Sequence, residues 1–109
     1  MAYDEALAER IRDLLADEPG ATERKMFGGL GFMIDGHMAV AAASHGSLML
    51  RVDPAVEHDL PPEHVAPMEM QGRSLKGWLL VDAEHLADDT ALADLVARGV
   101  AYVRTLPPK

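Results

Sequence analysis

The chain has 109 residues and a mass of 11.8 kDa, of which 49% are hydrophobic, enough for one core and too short for a second domain. Ten Lys and Arg against eighteen Asp and Glu leave a formal charge of -8, which repels a phosphate backbone and argues against direct nucleic-acid binding. The absence of cysteine excludes disulfides, thiolate metal sites, iron–sulfur clusters and thiol catalysis, and no apolar run approaches the roughly 18 residues of a membrane span.

Residues Met1 to Glu5 have neither a basic start nor an apolar segment, so a cytoplasmic protein is expected. Leu7, Ile11, Leu14 and Leu15 then recur at helical spacing over residues 4–17, with Asp4 and Glu5 where a helix dipole favours acids. Pro19-Gly20 closes this helix, because proline cannot continue the hydrogen-bond ladder and glycine readily takes positive φ. The run Lys25-Met26-Phe27-Gly28-Gly29-Leu30-Gly31-Phe32-Met33 follows, with three glycines between bulky apolar residues at the mouth of a predicted strand.

From Leu30 to Val52 short apolar runs alternate with turn residues, first Asp35-Gly36 and then Ser44-His45-Gly46. Asp-Gly is the stronger hairpin signal, since a type I′ turn needs positive φ at both central positions. A three-stranded antiparallel meander over residues 29–34, 37–43 and 47–52 is expected. Asp53 as a cap and Pro54 at the first position predict a short helix over 53–60, ended by Pro61-Pro62 and followed by a loop over 61–67.

Met68-Glu69-Met70, a turn at Gln71-Gly72-Arg73 and the run from Leu75 to Val81 predict a second hairpin containing Trp78, the only tryptophan. Asp88 or Asp89 caps a final helix with Leu92, Leu95, Val96, Val100 and Val103 on one face, ended by Pro107-Pro108. The expected architecture is a single α+β domain over 1–109, a two-layer fold with a mainly antiparallel five-stranded sheet and N- and C-terminal helices. Met33, Ala39, Ala41, Met49 and Leu79 share one strand parity, and Phe32, Met38, Val40, Leu48, Leu50, Trp78 and Leu80 the other. Both sheet faces are therefore apolar, and either helices cover both or one meets a partner. Met33 and Met49 are the candidate interface residues, because thioether side chains repack easily against a partner.

Taken together, Arg24-Lys25-Met26-Phe27-Gly28-Gly29-Leu30-Gly31-Phe32-Met33 and Gly72-Arg73-Ser74-Leu75-Lys76-Gly77-Trp78 resemble the TfoX N-terminal domain family. The likeness runs from the first helix to Leu106-Pro107-Pro108. It implies the element order above, similar to secretion-chaperone-like two-layer folds. It also implies an association with bacterial competence regulators, which assist the cyclic-AMP receptor protein at certain promoters. Those regulators carry a further C-terminal domain of helix-hairpin-helix-like character, so the expectation here is a stand-alone copy. The family supplies no catalytic residues to carry over.

Two stretches are candidate anion or interaction sites. Gly28, Gly29 and Gly31 beside Phe27 resemble a phosphate-cradling loop, with Lys25 to neutralise an anion. The spacing matches neither GxxxxGK[ST] nor GxGxxG, and a strand rather than a helix follows, so a structural reading is preferred: relief of crowding where the first helix crosses the strand, or a bulge. Arg73, Lys76 and Trp78 offer a fork, a point charge and a stacking face, although strand alternation alone accounts for Trp78. The five histidines, His37, His45, His58, His64 and His85, form no metal-ligand motif and are read as solvated. Ser44, Ser47 and Ser74 show no nucleophile elbow.

The sequence thus predicts a non-enzymatic protein-interaction module without cofactor or metal, with an unidentified protein partner, a homodimer as a subsidiary expectation, and an indirect role in transcription regulation. The alternative is a small anion- or nucleotide-binding protein using the glycine loop and nearby cations.

Overall fold

A computed structural model describes residues 3–26, 29–43, 46–55, 63–70 and 72–107, without the side chains of Met26, Met70, Ser74 and Leu75. The elements are α1 (Glu5–Leu14), β1 (Ala21–Met26), β2 (Gly29–Ile34), β3 (His37–Ala42), β4 (Leu48–Arg51), β5 (Val65–Met70), β6 (Arg73–Val81), α2 (Ala83–Leu86) and α3 (Asp89–Val103). The strands form one antiparallel sheet in the order β1-β2-β3-β4-β6-β5. The α+β class, the meander, the second hairpin and the terminal helices agree with the sequence reading.

Among the described residues the sheet has six strands, not five, and the additional one is β1. Its sequence, Ala-Thr-Glu-Arg-Lys-Met, lacks apolar alternation because an edge strand with exposed residues buries little. Residues 65–67 are strand rather than loop: Pro67 is tolerated because β5 is the opposite edge, where a missing N–H costs no interior ladder bond. The predicted helix after Asp53 is present as a single turn at Pro54–Ala55, and residues 56–60 lie outside the described residues.

Helix starts follow their caps. Asp4 Oδ1 accepts from the N–H groups of Ala6 (2.8 Å) and Leu7 (3.2 Å), and Asp88 caps α3 by accepting from Thr90 and Ala91. The β2–β3 turn has positive φ at Asp35 (51°) and Gly36 (89°), the type I′ requirement. Helix α1 ends at Leu14, earlier than the sequence pattern suggested, and Gly20 (φ 78°) turns the chain into β1.

Cross-strand register decides the layers. Phe32, Val40, Leu50 and Leu79 form one row across the sheet, and Leu30, Ala42, Leu48 and Val81 another; all eight are buried beneath the helices. Leu7, Ile11 and Leu15, with Leu92, Leu95, Val96 and Val103 of α3, complete the core. Leu79, not Leu80 or Trp78, therefore joins the helix-covered face, because β6 pairs with β4 through Leu50 and Leu79. Met38 also leaves the set read from parity. Phe32 opposes Val40 but Met33 opposes Met38, so Ala39 is an extra residue that shifts the alternation of β3.

Ala39 is also where Gly99 of α3 approaches the sheet. A Cβ at Gly99 would lie 2.7 Å from the Ala39 carbonyl oxygen and 3.2 Å from Leu50 Cδ1 and Val40 Cγ1. Beyond the helix, Arg104 bonds Glu18 and the Pro19 carbonyl (2.8 Å), and His37 Nε2 lies 2.6 Å from the Pro107 carbonyl, fixing the end of α3 to the α1–β1 and β2–β3 connections. Gly99→Ala should relieve a helical glycine by about 1 kcal/mol but overpack the helix–sheet contact by about 1–3 kcal/mol, the backbone carbonyl being unable to swing aside. The expected net result is a lower urea midpoint at unchanged slope; an unchanged or higher midpoint contradicts this seating.

Candidate functional site

The register that places one set of side chains under the helices places the other on a face that, among the described residues, no helix covers. Arg24, Gly31, Ala41, Met49, Leu80 and Ala66 form one row, a residue from each strand. Met33 and Met38 oppose each other beside it. Ala41 is buried, and Met33, Met38, Met49 and Leu80 are half-buried, so part of each of these four side chains is open. Gly31 belongs to this face: a Cβ there would meet Met38 Sδ at 2.8 Å, so the crowding that it relieves is with a methionine of β3, not with the first helix. Both candidate interface residues, Met33 and Met49, lie on the helix-free face, joined by Met38 and Leu80, which parity had assigned to the other side.

One corner of the sheet is tied to the helix layer. Arg51 opposes Trp78, with its guanidinium carbon 4.9 Å from the indole ring centroid and 5.5 Å from the Tyr102 ring of α3. Trp78 is half-buried and partnered by Arg51, so its ring already has a cation of this chain against it.

The candidate anion residues are distributed as follows. Lys25 is exposed on β1, whereas Arg73 and Lys76 are exposed on β6. Four inter-strand steps of about 4.8 Å separate those strands, so about 19 Å of sheet lies between Lys25 and the other two cations. Gly29 and Gly31 are in β2, while Phe27 and Gly28 lie outside the described residues. Gly77 has φ 82°, and a Cβ there would meet the Val52 carbonyl oxygen at 2.9 Å, which accounts for glycine beside Trp78. The two halves of the anion reading are thus not brought together.

A titratable group that sequence spacing did not indicate joins β5 to α2. His64 Nδ1 lies 3.0 and 3.2 Å from the carboxylate oxygens of Asp82, its ring stacks on His85 at 5.2 Å, and Glu84 lies 3.9 Å from Nε2. The hydrogen bond to Asp82 raises the His64 pKa above its ordinary value of 6.5. Asp82 is held below its ordinary 3.8, first by the N–H of His85, which it caps, and then by His64. His45 and His58 lie outside the described residues. Among the described residues, no group of three or more His, Asp or Glu is placed to hold a metal ion, and no helix is long and apolar enough to cross a membrane.

The family model of the TfoX N-terminal domain matches residues 13–102. Among solved structures, the chain is similar to the crystal structure of the Deinococcus radiodurans protein DR2400, with a DUF419 domain. The TM-score is 0.74 at 20% sequence identity, over 91% of this chain and 79% of that one, a likeness of fold. No curated protein matches significantly.

The His64–Asp82 contact has a definite pH signature. His64 binds its proton more tightly in the folded chain, so its contribution is complete below pH 6.5 and fades as pH rises through the raised value. Asp82 contributes above its ordinary value and loses that contribution as pH falls through its lowered one. A proton NMR titration should place His64 above 6.5, and Asp82→Asn, which keeps a capping oxygen, should return it toward that value. A wild-type His64 titrating at or below 6.5 contradicts the contact.

Proposed function

Because the chain belongs to the TfoX N-terminal domain family, we propose that it is a cytoplasmic, non-enzymatic interaction module of the competence-regulator type, acting on transcription through a protein partner. The observation that supports this reading is the helix-free sheet face. Its open centre consists of Met33, Met38, Met49 and Leu80 on a floor of Gly31 and Ala41. Flexible thioethers over small residues make a surface that adapts to an apolar partner. The formal charge of -8 favours recruitment through a DNA-bound protein over contact with DNA.

A second copy docking through the same face is part of the proposal. Sedimentation at micromolar concentration should give a mass near twice 11.8 kDa, and the double variant Met33→Asp with Met49→Asp should sediment as a monomer with unchanged circular dichroism. The same variant should lose capture of the native partner from cell extract. A wild-type monomer, together with partner capture unaffected by the two substitutions, contradicts the proposal.

A further inference from the structure

We propose that the outer edge of β1, unpaired among the described residues, is a second interaction surface, separate from the helix-free face, which accepts an extended acidic segment of another protein as a seventh strand. The backbone supports this first. The Asp35 N–H donates to the Gly20 carbonyl at 3.1 Å, and Gly20 and Asp35 continue the β1–β2 register, so the pair is hydrogen-bonded. Alternation from there turns the N–H and C=O groups of Thr22 and Arg24 toward β2, and those of Glu23 and Lys25 toward the free edge. The Ala21 N–H is already taken by the Glu18 carbonyl. Two residues of an incoming antiparallel strand would therefore find donor and acceptor at both Glu23 and Lys25. The opposite edge is less receptive: β5 carries Pro67, and its register is irregular between Pro67 and Glu69.

Charge selects the occupant. Glu23 is held by Arg12 through two bonds, at 2.5 and 2.9 Å, and its pKa is lowered by that partner. Arg24 and Lys25 are exposed, with no ion pair among the described residues, so the edge is locally positive on an acidic protein. A second copy fits poorly there. Symmetric antiparallel pairing sets one residue opposite itself: a Glu23, Arg24 or Lys25 centre opposes like charges, the Arg24 centre offsets this only by setting Lys25 against a Glu23 already held by Arg12, and a Thr22 centre pairs Glu23 with Ala21, whose N–H is already taken. An acidic strand from another protein has no such conflict, and its carboxylates would meet Arg24 on one face and Lys25 on the other.

A cleft beside this edge supplies side-chain selectivity. It measures about 150 Å³, lies between α1 and β1, and is walled by Leu15, Ala16, Ala21 and Phe32 with the Arg12–Glu23 pair. A space of that size takes one leucine or phenylalanine side chain. A strand paired with β1 carries residues opposite Ala21 and Glu23 on the helix side of the sheet, where one apolar side chain would enter the cleft.

The probe is a fluorescein-labelled peptide Glu-Glu-Val-Thr-Leu, which runs antiparallel to β1 with its acids opposite Lys25 and Arg24 and its leucine opposite Ala21. Fluorescence polarisation should show saturable binding that weakens with salt. Binding should fall at least about tenfold for the double variant Arg24→Glu with Lys25→Glu, whose two side chains are exposed, and should persist in the Met33→Asp, Met49→Asp variant. N-methylation of the peptide amides opposite Glu23 and Lys25 should abolish it, a control that does not depend on any variant folding. Amide NMR shifts confined to residues 21–25 and the cleft would locate the peptide. No binding at millimolar protein, or binding indifferent to both charge reversal and N-methylation, would overturn the proposal.

Discussion

Side chains alternate along a β-strand, so a shift of one residue in pairing exchanges the faces of a sheet. In this chain the extra residue Ala39 makes that exchange within β3, putting Val40 and Ala42 under the helices and Met38 on the open side. The same residue receives α3, whose Gly99 approaches the Ala39 carbonyl too closely for a Cβ. Register and helix docking are thereby coupled at one point. With α3 seated on β3 and β4, and Arg10 of α1 bonded to the Leu86 carbonyl and Asp89 at the start of α3, both long helices lie on one face of the sheet.

The open face follows from this one-sided arrangement. Among the described residues no second layer covers Met33 of β2, Met49 of β4 and Leu80 of β6, and all three stay half-buried. The arrangement also separates roles within the glycine-rich stretch. Gly31 is required by Met38 on the open face, whereas Lys25 belongs to an edge strand on the far side of the sheet from Arg73 and Lys76. A run that has the composition of a phosphate loop is, in its described residues, the end of the edge strand β1 and the start of β2.

Much of the fold was legible because its signals are local. Asp-Gly specified the β2–β3 turn, Asp4 and Asp88 specified helix starts, and apolar runs located β2, β3 and β4. What was not legible depends on distant partners. The polar strand β1 exists because β2 pairs with it, and Leu79 rather than Leu80 enters the core because Leu50 stands opposite. For the candidate site, parity found Met33 and Met49, while Met38 and Leu80 required the Ala39 insertion and the β4–β6 register. The His64–Asp82 contact joins residues 18 apart in sequence on different elements and has no local signature.

Helices cover one face of the sheet and leave Met33, Met38 and Met49 on the other within reach of solvent. Limited oxidation of dilute protein by hydrogen peroxide, read by mass spectrometry of its peptides, tests this directly, because methionine sulfoxide forms where the thioether is accessible. Met33, Met38 and Met49 are expected to oxidise while the far-ultraviolet circular dichroism is still native, and raising the protein concentration is expected to slow Met33 and Met49. Protection of all three in dilute native protein, with oxidation only after unfolding, would contradict this arrangement of the sheet.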